Sequence, residues 1–155
     1  MYFETIDINK HRQTVITFRK DSFIVSFGDV TAFGDEGDYL RWLEEKITEF
    51  PDGFVLAKEG QKYIGQLECS IREYEGQVIG YVHLYYLVPE MRGKGKGKEL
   101  HDYAMDFFKS KKIREYHLRV SPTNTSALKF YDKIGLTAIG PEFDGKVIRM
   151  RGVVK

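Results

Sequence analysis

The chain has 155 residues, 42% hydrophobic and 14% aromatic, which is enough apolar material for a single domain over 1–155 with its own core. Its 24 Lys and Arg nearly balance 23 Asp and Glu, so a formal net charge of +1 gives no general field to draw it onto nucleic acid or a membrane. The single cysteine, Cys69, excludes an intramolecular disulfide, and no run approaches the roughly 20 apolar residues of a bilayer span, so a reducing, cytoplasmic setting is expected.

In chain order, "YFETIDI" (2–8) reads as a first strand. From Asn9 toward Phe27, Val15, Ile16, Phe18 and Phe23 fit a helix only loosely, and "DSFIVSFG" reads equally well as a strand. Residues 35–50 are clearer: Asp35, Glu36 and Asp38 open a helix, Leu40, Leu43, Ile47 and Phe50 give it an apolar stripe, and Pro51 closes it. "GFVLAKE" (53–59), "KYIGQLECSIRE" (62–73) and "QVIGYVHLYYLV" (77–88) read as an antiparallel meander. The third run is apolar on both pleat faces, as a central strand covered on both sides should be.

Leu100, Ala104, Phe107 and Phe108 predict a helix from about Lys96 to Lys109. "YHLRV" (116–120) is a strand, and "SPTNTSALKFYDKIG" a capped helix with Ala127, Phe130, Tyr131 and Ile134 inward and Gly135 at its end. "LTAIGPEF" and "KVIRMRGVV" close the chain as a hairpin around Asp144-Gly145. The fold class is mixed α/β.

Between the third strand of the meander and the next helix lies "MRGKGKGKE" (91–99). Unpaired N–H groups and the positive end of the helix dipole meet there, Gly93, Gly95 and Gly97 allow close approach, and Arg92, Lys94, Lys96 and Lys98 add charge. Those properties suit an anion such as a phosphate; the bland alternative is a solvated connector. A nucleoside-triphosphate loop is excluded by spacing, since Arg92 stands where its first glycine belongs and Glu99 where its metal-binding hydroxyl belongs. The dinucleotide fingerprint also fails, because no glycine follows at 98 and a meander precedes the loop.

Arg92, Gly95 and Gly97 do match the [RQ]-x-x-G-x-[GA] pattern of the GNAT acetyltransferase superfamily, and "YYLVPEMRGKGKGKELHDYA" supplies the strand, the exit at Val88-Pro89 and the helix around it. "SPTNTSALKFYDKIGL" resembles the family's second conserved region through Asn124, Ala127, Phe130, Tyr131 and Gly135. The resemblance implies a GNAT-type fold: a mostly antiparallel sheet with a splayed central strand pair, flanked by about four helices. It also implies an enzyme that uses acetyl-coenzyme A to acetylate a primary amine by direct attack in a ternary complex. Leu87, Val88, Asn124, Tyr131 and the whole stretch from Arg92 to Lys98 would then contact the coenzyme.

By the same resemblance Tyr131 lies near the coenzyme sulfur, where a phenol could protonate the departing thiolate; otherwise it is a core aromatic. The N–H of Leu87 would stabilise the oxyanion. Glu68 and His83, on neighbouring strands, are candidates for the base, although register cannot be read from sequence. Asp21, in the segment that borders the acceptor site by the same resemblance, is either an amine-recognition residue or an exposed charge.

His11, His83, His101 and His117 show no ligand spacing, so no metal is expected. Two rival readings stand beside the enzyme: an acyl-coenzyme A sensor without turnover, and a basic nucleic-acid-binding module, which the balanced charge disfavours. The family commonly pairs through its C-terminal hairpin, so a homodimer is one arrangement implied; the acceptor amine is left open.

Overall fold

The structure, a computed structural model, describes all 155 residues. Seven strands form one sheet: β1 (Tyr2–Thr5), β2 (Phe54–Glu59), β3 (Lys62–Tyr74), β4 (Gln77–Leu87), β5 (Glu115–Val120), β6 (Thr137–Glu142) and β7 (Val147–Val153), in the order β1-β2-β3-β4-β5-β7-β6. Four helices, α1 (Ile8–Phe27), α2 (Glu36–Glu49), α3 (Lys96–Ser110) and α4 (Thr125–Lys133), complete the mixed α/β fold expected from the sequence.

The loosely patterned N-terminal segment is one continuous helix. Asp7 caps it by accepting from the N–H groups of Asn9 and Lys10, and Gly28, at φ 86°, ends it in the left-handed conformation. His11, Val15, Ile16 and Phe18 are its buried residues, all in the first three turns. Its last turns face a cavity rather than the core, which is why the apolar period fades there and "DSFIVSFG" resembled a strand. α4 also lines the cavity, and none of its residues is fully buried.

The sheet carries a core on each face. Val15, Phe18, Leu40, Leu43, Phe54, Leu84, Tyr86 and Val88 pack on the side of α1 and α2. Val55, Leu67, Cys69, Val82, Ala104, Phe108, Tyr116 and Leu118 pack on the other. β4 contributes to both, as its two-sided apolar sequence requires.

Two irregularities in β4 create the functional architecture. It is parallel to β5 and in register with it only at Gly80↔Tyr116 and Tyr81↔His117. β4 then continues along β3 as far as Gly65↔Leu87, and β5 along β7 as far as Val120↔Ile148, so the two strands diverge and leave a V-shaped gap. The β3–β4 register also shifts, from Glu68↔Leu84 to Cys69↔Val82, which makes His83 the extra residue of a β-bulge. Across that bulge the strand changes face: Val82 points to one core, Leu84 and Tyr86 to the other.

Candidate active site

The gap opens into a cavity of about 740 Å³, walled by Tyr85, Tyr86 and Leu87 of β4, Ser22, Val25 and Ser26 of α1, the loop into α3, and Asn124, Ala127 and Phe130 around α4. Val88 donates its N–H to Ile64 O at 2.9 Å across the β3 side. Alternation along the strand therefore turns the N–H of Leu87 away from β3, toward the gap. The carbonyl of Leu87 accepts from Nε of Arg92 at 2.9 Å.

That contact begins the ordering of the glycine loop. Arg92 Nη2 also reaches Asp21 Oδ2 on α1 at 2.9 Å, and Tyr86 donates its phenol to the same oxygen at 2.6 Å. Asp21 is thus committed to holding the loop on α1. Gly93 and Gly95 have φ of 75° and 77°, a conformation that a side chain at Cβ strains. Gly95 is the N-cap of α3 and has no side chain to cap it, so the helix begins with free N–H groups. A Cβ on Gly97 would lie 3.1 Å from the Phe130 ring, which shows how closely α4 approaches here.

The cations divide into two sets. Arg92, Lys98, Lys129 and Lys133 line the cavity, Lys98 with its amine 2.9 Å from Asp102. Lys96 turns away to Glu59 at 2.7 Å and Glu99 at 3.5 Å, and Lys94 is exposed. Val88 is buried in the core. Asn124 lines the cavity and caps α4 by accepting from Ala127 N at 3.2 Å.

Beside the bulge, on the α1–α2 face, lies a buried polar network. Glu68 is fully buried; its Oε2 accepts from the Tyr39 phenol at 2.6 Å and from Gln66 Nε2 at 2.8 Å. Its Oε1 has no hydrogen-bond donor and only the Arg19 guanidinium nearby, at 3.4 Å. Arg19 Nη1 also donates to His83 O at 3.2 Å, tying the base candidates together. His83 Nε2 sits 2.7 Å from Ser70 Oγ, and burial, reinforced by Arg72 and Arg19, pushes its pKa down to about 2. A hollow of about 330 Å³, lined by Arg19, Phe23, Phe33, Asp35, Tyr39 and Trp42, opens over this network.

Tyr131 is partly buried and packs against the cavity wall, its ring 6.2 Å from that of Tyr85, which lines the cavity. Burial, with a smaller contribution from Tyr81, raises its pKa, so the phenol keeps its proton. Cys69 is buried and its thiol is pushed up by that burial, the opposite of an activated nucleophile.

Sequence reasoning did not find Arg19, Tyr39, Gln66, the α1 wall or the lysines of α4. Lys129 and Lys133 carried a signal, four apart on the side of α4 away from its apolar stripe. Tyr39 and Gln66 carried none, because only the register places them on Glu68.

A model of the acetyltransferase (GNAT) family matches residues 17–136. An uncharacterised N-acetyltransferase of Methanocaldococcus jannaschii is 28% identical over 100 residues, 63% of this chain and 43% of that protein. The chain spans 66% of a second such relative, from Archaeoglobus fulgidus, so it covers less than two thirds of either. A Pyrococcus horikoshii crystal structure superposes with a TM-score of 0.72 at 26% identity, covering 99% of this chain and 98% of that one. The PaiA N-acetyltransferase of Thermoplasma acidophilum, solved in complex with coenzyme A, shares the fold at a TM-score of 0.76 and 21% identity, over 98% of each chain. With the family model covering most of the sequence, and the splayed strands, glycine loop and capped α4 all in place, the chain belongs to the GNAT acetyltransferase family.

Proposed function

We propose that the protein is an N-acetyltransferase that binds acetyl-coenzyme A in the 740 Å³ cavity and transfers its acetyl group to a primary amine arriving from the Glu68 side. The observation that carries this reading is the juxtaposition of two unlike environments at β4: a cationic, glycine-lined gap on one side and a buried carboxylate network on the other. The gap fits the coenzyme. Free N–H groups at the start of α3 and the cations Arg92, Lys98, Lys129 and Lys133 suit its phosphates, and the unpaired edges of β4 and β5 suit the amides of its arm. Bound there, the coenzyme supplies an activated thioester.

The chain's own residues then divide the work. The Leu87 N–H, turned into the gap, donates to the oxygen on which charge develops. Glu68 removes the proton of the amine through water, at Oε1, which accepts no hydrogen bond and has only the Arg19 guanidinium nearby at 3.4 Å. His83, with its pKa near 2, is ill suited to take that proton and instead shapes the site through Ser70. Tyr131, kept protonated by burial, returns a proton to the leaving sulfur. The test is calorimetry with acetyl-coenzyme A and ATP, followed by thiol release with amines: saturable binding of the former alone, and release with an amine, are expected. Absence of coenzyme binding would overturn the reading.

A further inference from the structure

Past the bulge, the same sheet face carries a group that the acyl transfer does not use. The guanidinium carbons of Arg72, Arg119 and Arg149 lie 4.3, 5.6 and 5.9 Å from the centre of the Tyr81 ring. That ring is in turn 4.8 Å from the His83 ring, so the cluster adjoins the reaction centre.

Its charge is not balanced. Glu142 accepts from Arg119 Nε at 2.7 Å and from Arg149 Nε at 2.9 Å, while Arg149, only 3% exposed, also donates to His117 Nδ1 at 2.9 Å. Glu115, the one other carboxylate alongside, is already shared between His117 at 2.7 Å and Arg151 at 2.9 Å. Arg72 has no ion pair and no side-chain hydrogen bond, only the face of Tyr81. Burial and the two neighbouring guanidiniums depress its pKa, the mark of a cation lacking a counter-charge.

We propose that Arg72, with Arg119 and Arg149 behind it, binds a carboxylate carried by the acceptor amine. This rests on the acetyltransferase reading and names the class of its second substrate. A guanidinium offers a carboxylate two parallel N–H donors, and Arg72 is the member of the cluster whose donors are uncommitted. Glu68, Ser70 and Arg72 alternate on one face of β3, so the anion site lies four residues from the base, about 13 Å along the strand. The acceptor therefore carries its carboxylate several bonds from its amine, either as a free amino acid with a distal amine or as a short peptide with an acidic side chain near its N-terminus.

The experiment compares wild type with Arg72→Gln, and with Arg72→Lys as a charge-retaining control, on matched acceptors that differ only in carboxylate or carboxamide. One pair consists of amino acids and the other of tripeptides. Wild type should prefer one carboxylate series by about 10–100-fold in kcat/KM, through KM, and Arg72→Gln should be indifferent. The preferred series identifies the source. Equal preference in wild type and Arg72→Gln would overturn the site. Glutarate, tested without coenzyme or amine, should raise the melting temperature of wild type and not of Arg72→Gln. That result in a protein that acetylates nothing would keep the anion site and discard the transferase reading, and no effect in either protein would count against the site.

Discussion

The phenol of Tyr39 donates to Glu68 Oε2 at 2.6 Å, while Glu68 Oε1, equally buried, receives no donor. One carboxylate oxygen is anchored by hydrogen bonds, while the other accepts none and has only the Arg19 guanidinium at 3.4 Å, the asymmetry expected of a base that must be oriented yet keep an acceptor position. Glu68→Gln keeps the volume and removes the basicity. Turnover at saturating substrates should fall about 10²–10⁴-fold with coenzyme affinity unchanged. Steady-state kinetics and calorimetry check this together, and turnover within a few-fold of wild type would move the base elsewhere.

Coenzyme affinity should depend on the cations that line the cavity. Interactions with phosphates that do not change during transfer stabilise ground and transition states alike. Neutralising Lys98, Lys129 and Lys133 with glutamine should raise the coenzyme KM and weaken its salt dependence, leaving kcat nearly intact. Lys96→Gln, which loses only its contacts with Glu59 and Glu99, should change neither.

Gly95→Val should abolish coenzyme binding. At φ 77° a β-branched residue is strained, and its side chain would stand at the mouth of α3 where the N–H groups must be approached. The fold itself should survive, because nothing lies within 4 Å of an added Cβ there. Circular dichroism and calorimetry on the same sample separate the two.

Acid should unfold the protein in two overlapping windows. His83 has a folded pKa near 2 against 6.5 unfolded, so below pH 6.5 the unfolded state holds a proton that the native state lacks. Stability is fully present above 6.5 and falls as pH drops through that range. Glu4, held at about 2 from 4.5 chiefly by the Tyr63 phenol, with Lys10 and His11, adds stability above 4.5 that is lost as pH falls toward 2. Denaturant titrations at several pH values should show His83→Phe flattening the curve between 6.5 and 4.5, and Glu4→Gln only below 4.5.

The elements legible in the sequence were those whose side chains point into a core. α2, α3 and the meander have clean apolar periods, and Asn124 announced its cap. α1 was obscured where one face looks into the cavity, since a cavity wall need not be apolar. The glycine loop was legible because left-handed backbone demands glycine. The Glu68 network was not: it depends on a bulge at His83 and on long-range register, neither of which leaves a local trace. Lys94 and Lys96 belong to the same basic run as Lys98, yet Lys96 pairs with Glu59 while Lys98 lines the cavity, a division that the run itself does not encode.

Comparing wild type with Tyr131→Phe in a thiol-release assay, with acetyl-coenzyme A and a panel of amines, tests the transferase account most directly. The ring and its contact with Tyr85 are kept, so melting temperature and coenzyme affinity should match. Wild type should release thiol with at least one amine, and the variant should lose about 10²–10⁴-fold in turnover. Equal turnover would reduce Tyr131 to a packing aromatic, and coenzyme binding with no release for any amine, even from wild type, would contradict the account and leave a sensor.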